Sequence, residues 1–322
     1  MINRIIILLL SLFPISNVFS QDVPYEDASP FLESYFKPLA KSIGHGLNNG
    51  WYNTAKTHKI AGFDIAMTIN VVSVPDEDLY FYPDDIRNFS SSGGNTSPTI
   101  LGAGDGANIT YMNQNNDIVD FTMPDQQLKK NMIPIPMING GIGLIKQTDI
   151  NVRYIPTYEY SLGFAGEGSI QLWGLGIKHD LLQWIPIVRD AVPLNLSLQV
   201  GHTNLNTQFN IDAAGATQKV DLKVQATTVN LIVSKKILML TAYAGMGYNT
   251  STTNFDTQTS LTLGTEDSPI NFNVPLELEF QSKGELRTDF GFRINLAIIT
   301  LHLNHSLSKY PVTTFGLGMS IR

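Results

Sequence analysis

Cysteine is absent from the 322-residue chain, which excludes disulfide staples, thiolate metal sites and a lipid-modified N-terminal cysteine. Charge is scarce too, at 15% of residues, and leans acidic, with 21 Lys+Arg against 28 Asp+Glu. Binding nucleic acid takes clustered Lys and Arg to displace counterions, so nucleic acid is excluded as a partner. The six histidines are scattered singly, so neither a dedicated metal site nor a cofactor is expected. Beyond the start of the chain no run approaches eighteen uninterrupted apolar residues, which excludes a transmembrane helix.

Residues 1–20 are of a different kind. Arg4 supplies a basic start, Ile5 to Phe13 a short apolar core, and Val18 and Ser20 the small-residue pattern of a cleavage site. Cleavage after Ser20 is expected, leaving an exported chain in which 20 basic residues face 28 acidic ones, a net of −8. Residues 21–58 read as a periplasmic plug segment and 59–322 as a single β domain.

In "SPFLESYFKPLAKSIGHGL", Phe31, Leu32, Tyr35, Phe36, Leu39, Ile43 and Leu47 recur at helical spacing. Ser29 and Pro30 suit the cap and first turn, and Pro38 is placed to kink the helix. From residue 61 the period drops to two. Phe63, Ile65, Met67, Ile69 and Val71 alternate with Asp64, Thr68 and Asn70, and ten long runs of this kind follow one another to the end of the chain. Shorter candidates at 106–112, 117–123 and 272–281 raise the expected count to 12–14 strands, within a range of 10–14. Connections alternate between tight ("KQTD", "SKK", near Asn295) and loose, apart from one longer connection at "KHDLLQWIPIVRDAVP".

Period two alone does not separate a soluble sandwich from a membrane barrel; the composition of the polar face does. That face reads Thr241, Tyr243, Gly245, Gly247 in one strand and Asp289, Gly291, Arg293, Asn295 in another, small and sparsely charged as an enclosed lumen requires. The opposite faces, such as Leu240, Ala242, Ala244, Met246 and Phe290, Phe292, Ile294, carry no charge and suit lipid. The fold class is therefore all-β, a transmembrane antiparallel β-barrel with an N-terminal helical plug, in outer-membrane lipid. "TTFGLGMSIR" stays amphipathic to the last residue because it must close the ring. Tyr158, Tyr160, Trp184, Tyr248 and Tyr310 lie near strand ends, where interfacial belts are expected.

The succession of "GLNNGWYNTAKTHKIAGFDIAMTINVVSVPDED", "GLGIKHDLLQWIP", "PLNLSLQVGHT", "YAGMGYNTST" and "TTFGLGMSIR" resembles a family of uncharacterised outer-membrane proteins. That family is similar to the FadL/TodX-type channels for fatty acids and hydrocarbons. The resemblance implies a barrel plugged by an N-terminal hatch, here 29–47 with Gly50–Lys59, and a small hydrophobic molecule as ligand.

Two groups of site residues follow. His45, Asn48, Asn49, Trp51, Lys56 and His58 either form a polar constriction that meets a ligand or, the plainer and favoured reading, bind the plug to the wall. Asp64, Asn70, Arg153, Asp289, Arg293, His302 and Asn304 line the lumen, with Asp289 and Arg293 two apart on one face as a natural pair. The leading expectation is a passive channel or binding barrel for small hydrophobic molecules, monomeric and not an enzyme. A structural or partner-binding barrel without transport is second. A lipid-modifying enzyme using His302 and Ser306 is third, lacking any nucleophile-elbow pattern. "GAGDGA" follows no strand and opens no helix, so it reads as a loop.

Overall fold

A computed structural model describes residues 22–92, 96–125, 131–162, 166–185, 193–213, 216–257, 261–265, 268–272 and 277–321. The expected signal segment lies outside them. Ten antiparallel strands form one closed barrel: β1 (Phe63–Ser73), β2 (Met132–Leu144), β3 (Thr148–Leu162), β4 (Gly166–Asp180), β5 (Asn195–Ala213), β6 (Ala216–Ile237), β7 (Leu240–Thr257), β8 (Glu277–Leu296), β9 (Ile299–Leu307) and β10 (Val312–Ile321). The last strand does close the ring, pairing with β1 from Val312↔Val72 to Ile321↔Phe63. No backbone edge is thereby left in hydrocarbon.

Ten strands is the bottom of the expected range. Asn108–Met112 and Ile118–Thr122 are strands, but with Phe89–Ser91 they make a separate three-stranded sheet on the long-loop rim. The 272–281 run divides between a surface hairpin ending at Phe272 and the start of β8. The "SKK" turn also moves: Ser234 to Ile237 continue β6, and the chain reverses at Leu238–Met239.

Strand lengths differ widely, from 22 residues in β6 to 9 in β9. Along β6 the reason is visible. Near the short-turn rim Leu231 and Val229 face out while Asn230 and Thr228 face in; farther along, Gln225 and Lys223 face out while Ala226, Val224 and Leu222 face in. The wall is inside-out for lipid in its lower part and ordinary for water in its upper part. The change of polarity at Thr227–Thr228 marks where the sheet leaves the bilayer.

The helix α1 spans Tyr25–Asn48. It starts one turn before the expected Ser29 cap because Pro24 is fixed at φ −66° and its carbonyl accepts from the N–H groups of both Asp27 (3.1 Å) and Ala28 (2.9 Å). The helix continues through Pro38. It begins at the long-loop rim, where the Tyr25 hydroxyl donates to the Glu277 carbonyl, and descends into the lumen. Its apolar stripe meets both the polar-outside wall and the surface cap. Phe31 stacks on Phe89 (4.5 Å) and Phe272 (5.7 Å), and Phe36 lies 4.3 Å from Phe255. The upper lumen is thus a packed core, joining Leu205, Leu222, Val224 and Leu278 of the wall to Phe81 and Phe121 of the cap.

Candidate functional site

Below α1 the core turns polar, and here the chain's own residues 45–58 fill the lumen. A helix ends with carbonyl groups that lack N–H partners and with the negative end of its dipole. Two arginines of the wall supply both needs. Arg153, fully buried on β3, donates Nη1 to the Leu47 carbonyl at 2.6 Å and Nη2 to the Asn49 carbonyl. Arg287 on β8 donates Nη1 to the Asn48 carbonyl at 2.8 Å. Each is oriented from behind: Arg153 Nε by Asn139 Oδ1 at 2.8 Å, and Arg287 by Asn230 Oδ1 at 2.6 Å and Asp289 Oδ2 at 3.2 Å. The Leu47, Asn48 and Asn49 carbonyls are thus gripped by two cations from opposite sides of the barrel.

Gly50, at φ +74°, reverses the chain, and Trp51 then lies flat against the wall. The wall is flat because Gly174, Gly176 and Gly201 present no side chain there; a Cβ on Gly176 would stand 2.8 Å from Trp51 Cζ3. Arg153 covers the other face of the ring, 3.8 Å from its centroid. Next, the Tyr52 hydroxyl donates to Asp289, and Asn53 Oδ1 accepts from Arg293 Nη1. Ala55 is held at both backbone groups, its N–H donating to Ser234 Oγ at 3.0 Å and its carbonyl accepting from Ser197. At the bottom, Asp149 accepts from the His58 backbone N–H (2.9 Å), meets His58 Nδ1 at 3.0 Å and pairs with Lys178 Nζ at 3.0 Å. Asp64 stands 3.5 Å from His58 Nε2.

Of the expected plug residues, His45 pairs with Glu285 at 2.6 Å, Asn48 donates to the Thr250 carbonyl at 3.1 Å, Asn49 donates to the His45 carbonyl at 2.9 Å, and Trp51 and His58 sit as described. Lys56 is exposed, its carbonyl accepting from Lys178 at 3.4 Å. Among the lumen residues, Asn70 donates to the Gly46 carbonyl at 2.7 Å, Asn304 reaches Ser306 at 3.3 Å, and His302 is buried across from Arg293. Asp289 is held by Arg287, Tyr52 and Ser306, while Arg293 reaches Asn53 and Asn295. Tyr310, expected in an interfacial belt, is instead buried. The turn that carries it folds over the lumen, so its hydroxyl donates to Asp78 at 2.6 Å and its ring stacks on His45. Trp184 and Tyr248 are exposed, and the Tyr160 side chain lies outside the description.

Sequence reading missed Arg287, Asp149, Lys178 and Tyr52. The first two were within reach, since Arg287 shares the parity of Asp289 and Arg293, and Asp149 that of Arg153. Among the described residues, a cavity of ~30 Å³ lies between plug and wall beside Trp51, Asp64, Thr68, Asn151 and His302. That is room for one or two waters.

A closed antiparallel sheet, apolar outside, polar inside and filled by its own N-terminal segment, is an outer-membrane β-barrel fold with an internal plug. The chain belongs to the family of unknown function DUF6588, whose model matches residues 1–321. No curated protein matches it. Among solved structures it is similar to the β domain of the Bordetella autotransporter BrkA, at 11% identity and a TM-score of 0.37, covering 81% of this chain and 100% of that one. The outer membrane protease OmpT of Escherichia coli follows at 10% identity and 0.35, covering 83% and 100%. The Pseudomonas putida toluene transporter TodX is at 8% and 0.28, covering 83% and 90%. At these identities and scores the likeness extends to barrel architecture and no further.

Proposed function

We propose that this protein is a sealed barrel of the Gram-negative outer membrane, a monomer whose task is to hold its folded long-loop cap at the cell surface as a binding platform. The supporting observation is the plug clamp. Arg153 and Arg287 tie the helix end to opposite walls, and the cavity beside Trp51, at ~30 Å³, has room only for water. A gate that opens readily would be held by exposed, exchangeable contacts, whereas breaking these leaves buried charges without partners. By the usual arrangement of such barrels the short turns face the periplasm and the cap faces outward.

The test is conductance of the purified full chain in planar bilayers, together with uptake of a fluorescent fatty acid and of toluene into vesicles. No conductance and no accelerated uptake is the expected result. Steady conductance by the unmodified chain would overturn the sealed reading.

The second reading is the hydrophobic conduit of the FadL/TodX type. It draws on an apolar hollow of ~550 Å³ on the outer wall, lined by Met67, Ile69, Phe292, Leu301, Phe315 and Leu317. Uptake of toluene without ionic conductance would favour it. An enzymatic role is set aside because Ser306 spends its hydroxyl on Asp289 and Asn49 inside the sealed lumen.

A further inference from the structure

The tips of the rim that carries the short turns are at odds with what water selects. Hairpin tips in water favour Asn and Gly, above all where φ is positive. Here the tips include Ile145 (67% exposed), Leu238 (89%) with Met239, and Ile298 (52%), and the left-handed positions are Lys146 and Gln147 in the first turn, Leu238 in the second and Ala297 in the third, none of them Asn or Gly. The exit of the plug adds Ile60, 71% exposed, and the connection after β4 adds exposed Trp184, whose indole N–H donates to His179 at 2.9 Å. These side chains adjoin the lipid-facing band through Leu240, Phe63 and Ile299 at the strand ends.

Among the described residues, the exposed charges on this rim have one sign. Lys59, Lys146, Lys235 and Lys236 are exposed, whereas among the described residues its acidic groups are turned inward: Asp149 and Asp180 are buried and Asp64 faces the lumen. The cap rim instead mixes signs, with Asp76, Glu77, Asp84, Asp85 and Asp120 exposed alongside Arg87 and Lys309. Apolar tips interleaved with lysines match the layer where acyl chains meet phosphate groups.

We propose that the short-turn rim is a binding ring for anionic phospholipid, its tips immersed in the leaflet and its four lysines holding lipid phosphates. This rests on the membrane-spanning reading of the barrel, and the experiment keeps the two apart. Because the chain has no cysteine, Leu238→Cys and, in the middle of the wall, Leu301→Cys each accept a single environment-sensitive fluorophore. Both labelled chains are folded into phosphatidylcholine vesicles with and without phosphatidylglycerol. The label at 238 should be quenched by a nitroxide lipid carrying its probe near the headgroup and be several-fold less accessible to aqueous iodide than a label on the cap at Tyr82→Cys. Native mass spectrometry should find phosphatidylglycerol enriched on the chain, and Lys146→Gln with Lys235→Gln and Lys236→Gln should lower that enrichment several-fold.

Free access of iodide to the 238 label, with the 301 label shielded, would overturn the lipid ring alone; access to both would overturn the barrel's place in lipid. Shielding at 238 in whole outer membranes but not in vesicles would assign the rim to a protein partner instead. Unchanged lipid enrichment in the lysine variant would remove the phosphate contacts from the proposal.

Discussion

Arg153 lies over Trp51 with its guanidinium carbon 3.8 Å from the ring centroid, and the same guanidinium grips the carbonyls on either side of the helix end. One side chain therefore fixes both the end of α1 and the first residues after it. A cation held by carbonyls and an aromatic face, rather than by a carboxylate, keeps its position only while the plug is in place. Plug and wall are in this sense one folding unit.

Replacing Arg153 with Met keeps much of the volume and removes the donors. The Leu47 and Asn49 carbonyls are then buried without partners, and a cost of about 3–5 kcal/mol is expected. The readout is the temperature at which the barrel loses its compact migration on gels, with Trp51 emission shifted to the red. Arg153→Lys should not restore the wild-type value, since one ammonium cannot reach two carbonyls and Asn139 with the geometry of a planar fork.

The glycine wall makes a second prediction. Gly201 has no room for a side chain, because the Trp51 ring occupies the place of its Cβ. Gly201→Val should displace the ring, costing about 1–3 kcal/mol as overpacking does, and loosen the plug without touching any charge. Increased quenching of Trp51 by acrylamide checks it. A paired variant, Gly201→Val with Trp51→Ala, should recover part of the loss, which a general weakening of β5 would not allow.

On the cap, the Tyr111 hydroxyl donates to Asp27 Oδ2 at 2.8 Å and ties the surface sheet to the first turn of α1, where Asn88 also donates to Asp27 at 3.0 Å. Burial first, and then the bond to Asp27, raise the Tyr111 hydroxyl well above its ordinary value. The folded cap thus holds a proton that the unfolded chain gives up near pH 10, and this contribution to stability is constant below about pH 10 and falls as pH rises past it. Protease cleavage of the cap should rise more steeply above that pH in the parent chain than in Tyr111→Phe. At neutral pH the variant should be the weaker by about 1 kcal/mol, the worth of a hydrogen bond.

The barrel was legible because lipid and lumen impose opposite demands on alternate residues, as Phe290, Phe292 and Ile294 against Asp289, Gly291 and Arg293 make plain. The strand count was less so, since Asn108–Met112 alternates as a wall strand does, yet pairs only within the cap. Periodicity reports that a strand has two faces and says nothing of which sheet it joins. The plug contacts split in the same way. Their residue types, amide, imidazole and guanidinium, could be read, but not that Arg153 and Arg287 converge on one helix end from strands 134 positions apart, which only closure of the ring decides.

The turn at Leu238 sets two magnitudes against each other. A left-handed conformation costs an ordinary residue roughly 1–2 kcal/mol, and Asn bears it with less strain. Leu238→Asn should therefore stabilise the chain by about 1 kcal/mol if the tip stands in water, where the leucine gains nothing from its 89% exposure. With the tip in lipid, the leucine side chain is worth about 1.5–3 kcal/mol of transfer, which exceeds the strain. The variant should then be destabilised by about 1 kcal/mol, and that is the outcome expected here. Urea titrations of folding into phosphatidylglycerol-containing vesicles measure the sign directly, and a rise in the midpoint would place the short-turn rim in water.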